Sequence, residues 1–435
     1  MAQKNNKFLG YGVILSILGI IFMFLYSGLQ NDQINIIQAY SAWDNNMTML
    51  PMTVGNFVCI VLTFIYGTMF IKFGVKKSLI PVMILSAVGC IGIVAANGLK
   101  CNGGEGNYIL FFISLFVVRC TCMMLQMAGF QLVASWFIRL RGRIMGIVTL
   151  GSPLFSVIGT AGMTTMIEKS FGGDYRPFYV GIAVILVVVA ILVAFLIKDT
   201  PESVGLYPDG LDHPPVSEAE EEVKLTLKDV LTSAKGWKVI ISFGALTFII
   251  NACMGSMAAR YMMLGGGGPE VWLVAVKYLA IGAILGIPMS FIFGVLDDKI
   301  GTVKASIVLG LCELLPILGL ALQPEGGSVP LMIIWGFGVA CMTGGVPTLH
   351  PCIMAFAYGR KEYQSANRII MAIQLIPSAV AAQIMVMLLG TGNVVGAYGL
   401  LLVVLLIGIV ALLTMLKMKD ANAADRDYGK KEKAA

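Results

Sequence analysis

The sequence predicts an all-α polytopic membrane protein of twelve transmembrane helices in two six-helix bundles, with both termini cytoplasmic. Three observations predict it: the share of apolar residues, twelve segments long enough to cross lipid, and a repeat relating the two halves. Apolar residues fill 58% of 435 positions where about 45 to 50% is usual, and charged residues only 12% where about 25% is usual. A water-soluble fold has too little interior for that much apolar surface. The 50 glycines suit helices that approach closely in lipid.

A spanning helix needs about 20 mostly apolar residues, because the hydrocarbon core is about 30 Å thick and each residue rises about 1.5 Å. The first half offers residues 8–29, 47–70, 78–98, 107–134, 142–167 and 177–198. The second offers 237–264, 271–294, 303–322, 329–357, 364–389 and 394–417. The first segment is full length without a small-residue cleavage site, so it reads as a retained helix. Lysine and arginine set the orientation. Lys72, Lys76 and Lys77, then Arg139, Arg141 and Arg143, then Arg360 and Lys361 share one side, while the opposite loops hold only Lys100, Lys169 and Arg176. The basic side is cytoplasmic by the positive-inside rule, here the inner face of a bacterial cytoplasmic membrane.

Residues 1–198 form the first bundle, 199–236 a cytoplasmic linker, 237–417 the second bundle and 418–435 a charged cytoplasmic tail. The linker carries Pro201, Pro208, Pro214, Pro215 and an acidic run from Glu218 to Glu222. From Leu225 to Lys238 apolar and lysine-bearing positions alternate at helical spacing, which fits either a helix lying on the membrane surface or a solvated tether. Across the linker, Gly67, Lys72 and Gly74 are matched in spacing by Gly294, Lys299 and Gly301, and the run from Arg141 to Arg143 by that from Ala366 to Arg368. Such a duplication places a solute site near midplane between the repeats.

Eight of the nine cysteines lie inside apolar runs, and Cys101 alone falls in a loop. Cys120 and Cys122 have no histidine or further cysteine at ligand spacing, so no metal and no cofactor is expected. The net charge of +6 follows from the loop distribution and calls for no nucleic-acid partner. No paired carboxylates or nucleophile motif point to an enzyme. The expected partners are a small-molecule solute and the bilayer, around a monomer.

The repeated segment resembles the signature loop of the major facilitator superfamily, G-x-x-x-D-[RK]-x-G-[RK]-[RK], found between the second and third helix of each half. Gly294, Asp298, Lys299 and Gly301 fit it; the first copy has Ile71 at the aspartate and Val75 at a basic position. The resemblance implies a gating role for Gly67, Lys72, Gly74, Gly294, Asp298, Lys299 and Gly301, with Arg143 and Arg368 at neighbouring helix ends. It implies that Asp298 helps latch the cytoplasmic side, and that the first-half latch is weaker or rearranged. Trp136-Phe137 with Arg141-Gly142, Gly146-Ile147 and Gly151-Ser152-Pro153 is similar to the fourth-to-fifth helix junction of the oxalate/formate antiporter and monocarboxylate porter branch. The segments from Thr200 to Gly210 and from Phe356 to Tyr363 resemble the same branch. Its members often place a carboxylate-binding arginine in the eighth helix, where this chain has Ser290.

A charge mid-way across lipid costs about 2.5 to 3.5 kcal/mol or more, so each needs a reason. Arg119, central in the fourth span, resembles the superfamily's helix-four arginine and is a candidate to bind substrate or to pair structurally with a neighbouring helix. Lys277 and Arg260 are further candidate counter-charges for an anion, with snorkelling to the interface as the alternative. Glu313 and His350 are candidates for proton coupling, or for hydrogen bonds that fix helix packing. Gln126, Asn251, Trp335 and Gln374, with Gln30 and Asn367, are polar candidates for solute contact or helix glue. Together these readings predict a secondary active transporter for a small organic anion, a mono- or dicarboxylate, working by proton symport or anion exchange. The alternative is a proton-driven exporter of amphipathic or cationic compounds.

Overall fold

The structure, a computed structural model, describes residues 2–33, 37, 40–43, 45–99, 101, 106–155, 158, 163–211, 225–265 and 270–421. The chain opens with α1 (Ala2–Ser27), whose last turn loosens into a π-helical turn at Gly28–Asp32. Gly28 faces the Phe155 ring so closely that no Cβ fits there. Next, α2 (Asn45–Ala96) holds both the second and third expected spans. Gly74, at φ 80° and ψ 166°, turns the chain between them, a conformation open to glycine because it lacks a Cβ.

α3 (Tyr108–Trp136) is the fourth span and is buried without a break from Val118 to Leu125. The fifth expected span, 142–167, is not one helix. It is α4 (Arg141–Thr149), α5 (Gly151–Leu154) and α6 (Met163–Ser170), with 156–157 and 159–162 outside the described residues. Gly151 presses against the Ile20 carbonyl of α1, so the interruption sits where two backbones meet. α7 (Arg176–Leu196) completes the half with Pro177 in its first turn, where no amide hydrogen is needed.

In the linker only α8 (Leu227–Thr232) is a regular helix, closed by a reciprocal capping box. The Thr226 N–H donates to Asp229 Oδ2 at 2.7 Å and the Asp229 N–H to Thr226 Oγ1 at 3.3 Å. The acidic run from Glu218 to Glu222 lies outside the described residues. Then come α9 (Ala234–Leu264), α10 (Glu270–Ile300), α11 (Thr302–Cys312), α12 (Leu314–Ala321), α13 (Val329–Gly390) and α14 (Val394–Met415). α13 holds the tenth and eleventh spans, broken at Gly359 with φ 63° and ψ −171°. The ninth is split between α11 and α12 at Glu313, because Pro316 has no N–H for the Cys312 carbonyl and its ring crowds it. The charged tail is described only to Ala421, whose N–H donates to the Phe356 carbonyl at 2.9 Å.

Among the described residues nine helices are long and apolar enough to cross a membrane; two of them, Leu50–Ala96 and Val329–Gly390, run 47 and 62 residues and hold two spans each. With the divided fifth span these account for the twelve. Large apolar side chains stay exposed along them, among them Val61, Val88, Val184, Phe195 and Leu406. Such a surface suits lipid, which asks for no hydrogen bonds, and helices suit it because they satisfy most backbone groups internally.

The chain divides into two compact units: Met1–Trp136 with Leu150–Pro214, and Phe137–Thr149 with Pro215–Ala435. The first expected bundle ran unbroken to residue 198; α4 instead belongs to the second unit, where it packs on α10 and α13. Glycine explains the fit. A Cβ on Gly146 would stand 2.6 Å from the Ser290 carbonyl oxygen, and one on Gly142 would stand 2.5 Å from the Gly294 carbonyl oxygen.

Candidate functional site

Arg119 is the centre of the polar cluster in the first unit. It sits on α3, only 6% exposed. Its Nε donates to Asn56 Oδ1 at 2.8 Å, its Nη1 to the Gln30 carbonyl at 3.0 Å, and its Nη2 again to Asn56 Oδ1. Gly55 makes room for the stem, since a Cβ there would lie 2.6 Å from Arg119 Cγ. The Cys122 thiol occupies the Gln30 side-chain oxygen at 3.0 Å. Gln126, two turns along α3 from Arg119, lies near Tyr26 on α1. Among the described residues no carboxylate forms an ion pair with Arg119. A guanidinium carries five N–H donors, and three are engaged here. The remaining donors are free to bond a further acceptor.

In the second unit the remaining candidates fall into separate places. Gln374 on α13 donates from Nε2 to the carbonyls of Val239 and Ile240 on α9, at 3.0 and 3.3 Å. Its Oε1 is thereby an acceptor, so His350 Nε2, 2.7 Å away, is the donor of that bond. The Phe243 ring meets the imidazole edge-on at 5.5 Å. Arg260 donates to the carbonyls of Leu320 and Gln323, at 3.2 and 3.1 Å, and so caps the end of α12. Trp335 is fully buried with its backbone against Gly319 and its ring 5.4 Å from that of Tyr261. Asn251 is exposed and bonds the Thr247 carbonyl of its own helix at 2.9 Å, and Asn367 is buried. Lys277 is exposed on α10, with no ion pair among the described residues. Glu313 is wholly buried.

The structure thus joins Arg119 with Gln126 and Gln30 in one cluster, and His350 with Gln374 in another. Arg260 and Trp335, expected as solute contacts, are engaged in helix capping and core packing. Asn56 and Tyr26 were absent from the sequence expectations; an asparagine in the second apolar run was the available signal for the first. Ser290 stands where the resemblance to the oxalate/formate and monocarboxylate branch implied an arginine, and its surroundings leave no room for one. It is fully buried, with Gly146 of α4 against its carbonyl and Gly344 of α13 placing a would-be Cβ 2.6 Å from its nitrogen. No long cation fits between three backbones that close.

The two signature loops are built differently. Asp298 lies at the N-terminus of α4, accepting from the amides of Gly142 and Arg143 at 3.2 and 3.3 Å and pairing with Arg143 Nε at 2.9 Å. That is an N-terminal cap on a helix dipole reinforced by an ion pair. Beside it Gly294 is buried against Gly142, and Lys299 is exposed in the last turn of α10, before the turn that Gly301 makes at φ 89°. In the first copy, where Ile71 replaces the aspartate, a carboxylate arrives from elsewhere: Asp199, just beyond α7, accepts from the Lys76 amide at 2.9 Å and fills the space over Gly74. Gly67 is buried within α2 and Lys72 is exposed. Arg368 Nη2 reaches the Leu225 carbonyl at 3.4 Å.

Comparison with known proteins adds the following. The sequence profile described as Major Facilitator Superfamily matches residues 8–382. No curated protein sequence matches significantly. Among solved structures, the proton:xylose symporter XylE bound to 6-bromo-6-deoxy-D-glucose is similar with a TM-score of 0.68 at 12% identity, over 97% of this chain and 99% of that one. The E. coli fucose:proton symporter FucP has a TM-score of 0.67 at 15% identity, over 93% and 98%. The human organic anion transporter MFSD10 (TETRAN) has 0.64 at 11% identity, over 92% and 99%. At these identities the likeness is one of fold.

Proposed function

The chain belongs to the major facilitator superfamily, a multi-pass membrane transporter and not an enzyme, and we propose that its cargo is a small organic anion, a mono- or dicarboxylate. In this reading it works by alternating access as a proton symporter or anion exchanger, as a monomer in a bacterial cytoplasmic membrane with both termini inside. It stands nearest the oxalate/formate and monocarboxylate porter branch. The observation that carries the proposal is Arg119, a buried guanidinium held by neutral partners with donors to spare. A carboxylate supplies the missing charge and accepts two parallel N–H bonds, the geometry to which arginine is suited.

Arg119 also weighs against the exporter alternative, since a buried cation repels cationic cargo by several kcal/mol at close range. Because Ser290 leaves no room for the branch's second cation, recognition rests on Arg119 with Gln126, Tyr26 and Asn56 around it. Counterflow in proteoliposomes, with labelled lactate, oxalate and succinate, tests this. At least one of the three exchanges, and Arg119→Gln lowers its rate by about thirtyfold or more, equivalent to about 2 kcal/mol lost from a buried charge contact. Absence of exchange for all three, or an Arg119→Gln protein that exchanges like the parent, sinks the organic-anion reading.

A further inference from the structure

Glu313 is the feature that cargo binding leaves unexplained. It lies near the middle of the span Thr302–Ala321, is 0% exposed, and neither carboxyl oxygen has a hydrogen-bond partner. Among the described residues it forms no ion pair. The titratable groups facing it are Cys312 at its side and Cys253 from α9; Cys312 in turn lies near the free thiol of Cys341 on α13. Tyr398 of α14 lies near Cys253. Arg260 of α9 is engaged with the Leu320 and Gln323 carbonyls, and the ring of its neighbour Tyr261 packs 5.4 Å from that of Trp335. Among the described residues no cation therefore neutralises Glu313. An ionised carboxylate so placed has no compensation for its lost hydration, a cost of several kcal/mol, while the protonated acid is a modest dipole.

The backbone around it is also unusual. Pro316 interrupts the hydrogen-bond ladder, leaves the Cys312 carbonyl without its N–H donor, and ends α11 at Glu313. The proline ring fits because Gly338 of α13 has no side chain; a Cβ there would stand 2.6 Å from Pro316 N. An orphaned carboxyl and an orphaned carbonyl thus share one helix break in the membrane. Too few oxygens gather there for a metal cation: no cluster of three acidic, histidine or cysteine ligands exists among the described residues, and sodium or calcium takes several oxygens.

We propose that Glu313 is a proton-binding site of the transport cycle, occupied when the carboxyl is buried at the α11–α12 break and vacated when the break opens to water. The step is acid–base only: the proton that leaves Glu313 passes to water, and no electrons move. It deepens the transport reading and borrows from the organic-anion proposal only its cargo probes.

Two measurements test it. Infrared difference spectra of the full-length protein in liposomes, recorded between acid and alkaline pH, need no cargo; they contain a protonated-carboxyl band that is lost in Glu313→Gln. In proteoliposomes Glu313→Gln retains counterflow of the exchanging acid among lactate, oxalate and succinate, but loses accumulation driven by an imposed proton gradient, and Glu313→Asp restores part of it. The proposal is overturned if the band persists in Glu313→Gln, or if that variant accumulates cargo on a proton gradient like the parent. It is equally overturned if accumulation follows a sodium gradient and ignores the proton gradient. Should Glu313→Gln not fold, the same spectra on Glu313→Asp decide, since a band that neither shifts nor weakens there belongs to another residue. Failure of all three acids to exchange, with the band still lost in Glu313→Gln, leaves the proton site standing and removes only the cargo.

Discussion

At the scale of single residues, the first unit shows how one glycine sets a charge. Arg119 reaches Asn56 and the Gln30 carbonyl because Gly55 leaves its stem a channel, and a methyl at Gly55 occupies the position of Arg119 Cγ. Gly55→Ala therefore displaces the guanidinium and, if the cargo is the proposed anion, lowers its apparent affinity by about tenfold, close to 1.4 kcal/mol. Gly181→Ala, with nothing within 4 Å of the new methyl, leaves it unchanged. Affinity measured by counterflow on both variants checks this, and equal behaviour of the two would show that Arg119 is not held in place by Gly55. Arg119 itself was legible in the sequence, because a charge in an apolar run must have a purpose. Its partners were not, since Asn56 is 63 positions away and only the pairing of α2 with α3 brings the two together.

Helices tell a similar story. The two long breaks, at Gly74 and Gly359, fell where the apolar runs were expected to end, because a break in hydropathy and a glycine at positive φ coincide there. The divisions within the fifth and ninth spans were not legible, since an apolar run reads as continuous even where Pro316 cuts it. Nor was the source of the carboxylate at the first signature loop, which comes from Asp199, 125 positions beyond Gly74. Here a comparison of the two copies is predictive. Gly74 and Gly301 share the left-handed conformation, at φ 80° and 89°, but only Gly74 has a side chain against it. Gly301→Ala costs conformational strain alone, about 1 kcal/mol, and Gly74→Ala costs strain plus collision, about 2 to 3 kcal/mol. Thermal melting of the single variants and of Gly74→Ala with Asp199→Gly checks this. The double variant recovers to the level of Gly301→Ala; full additivity would mean that Asp199 and Gly74 are uncoupled.

For the molecule as a whole, the count of spans was the most legible property, because lipid thickness acts on sequence directly. The branching into two units was less so, as α4 shows. Of nine cysteines only Cys101 is exposed; the rest are buried apart from the half-buried Cys312. A membrane-impermeant maleimide added to intact cells therefore labels one site per chain, abolished in Cys101→Ser, if the loop after Ala96 is external. Labelling that requires permeabilised cells would invert the topology.

The membership of α4 in the second unit has a consequence for how the protein can be taken apart. A gene severed in the linker gives two polypeptides, neither of which is a whole building block. The C-terminal product lacks the piece that seats on Gly294 and Ser290 and leaves the Asp298 carboxylate without amides to receive. The N-terminal product carries that missing piece as an unclaimed stub. The first fragment holds the second's completion, so the C-terminal product is recovered only when both are made in the same cell.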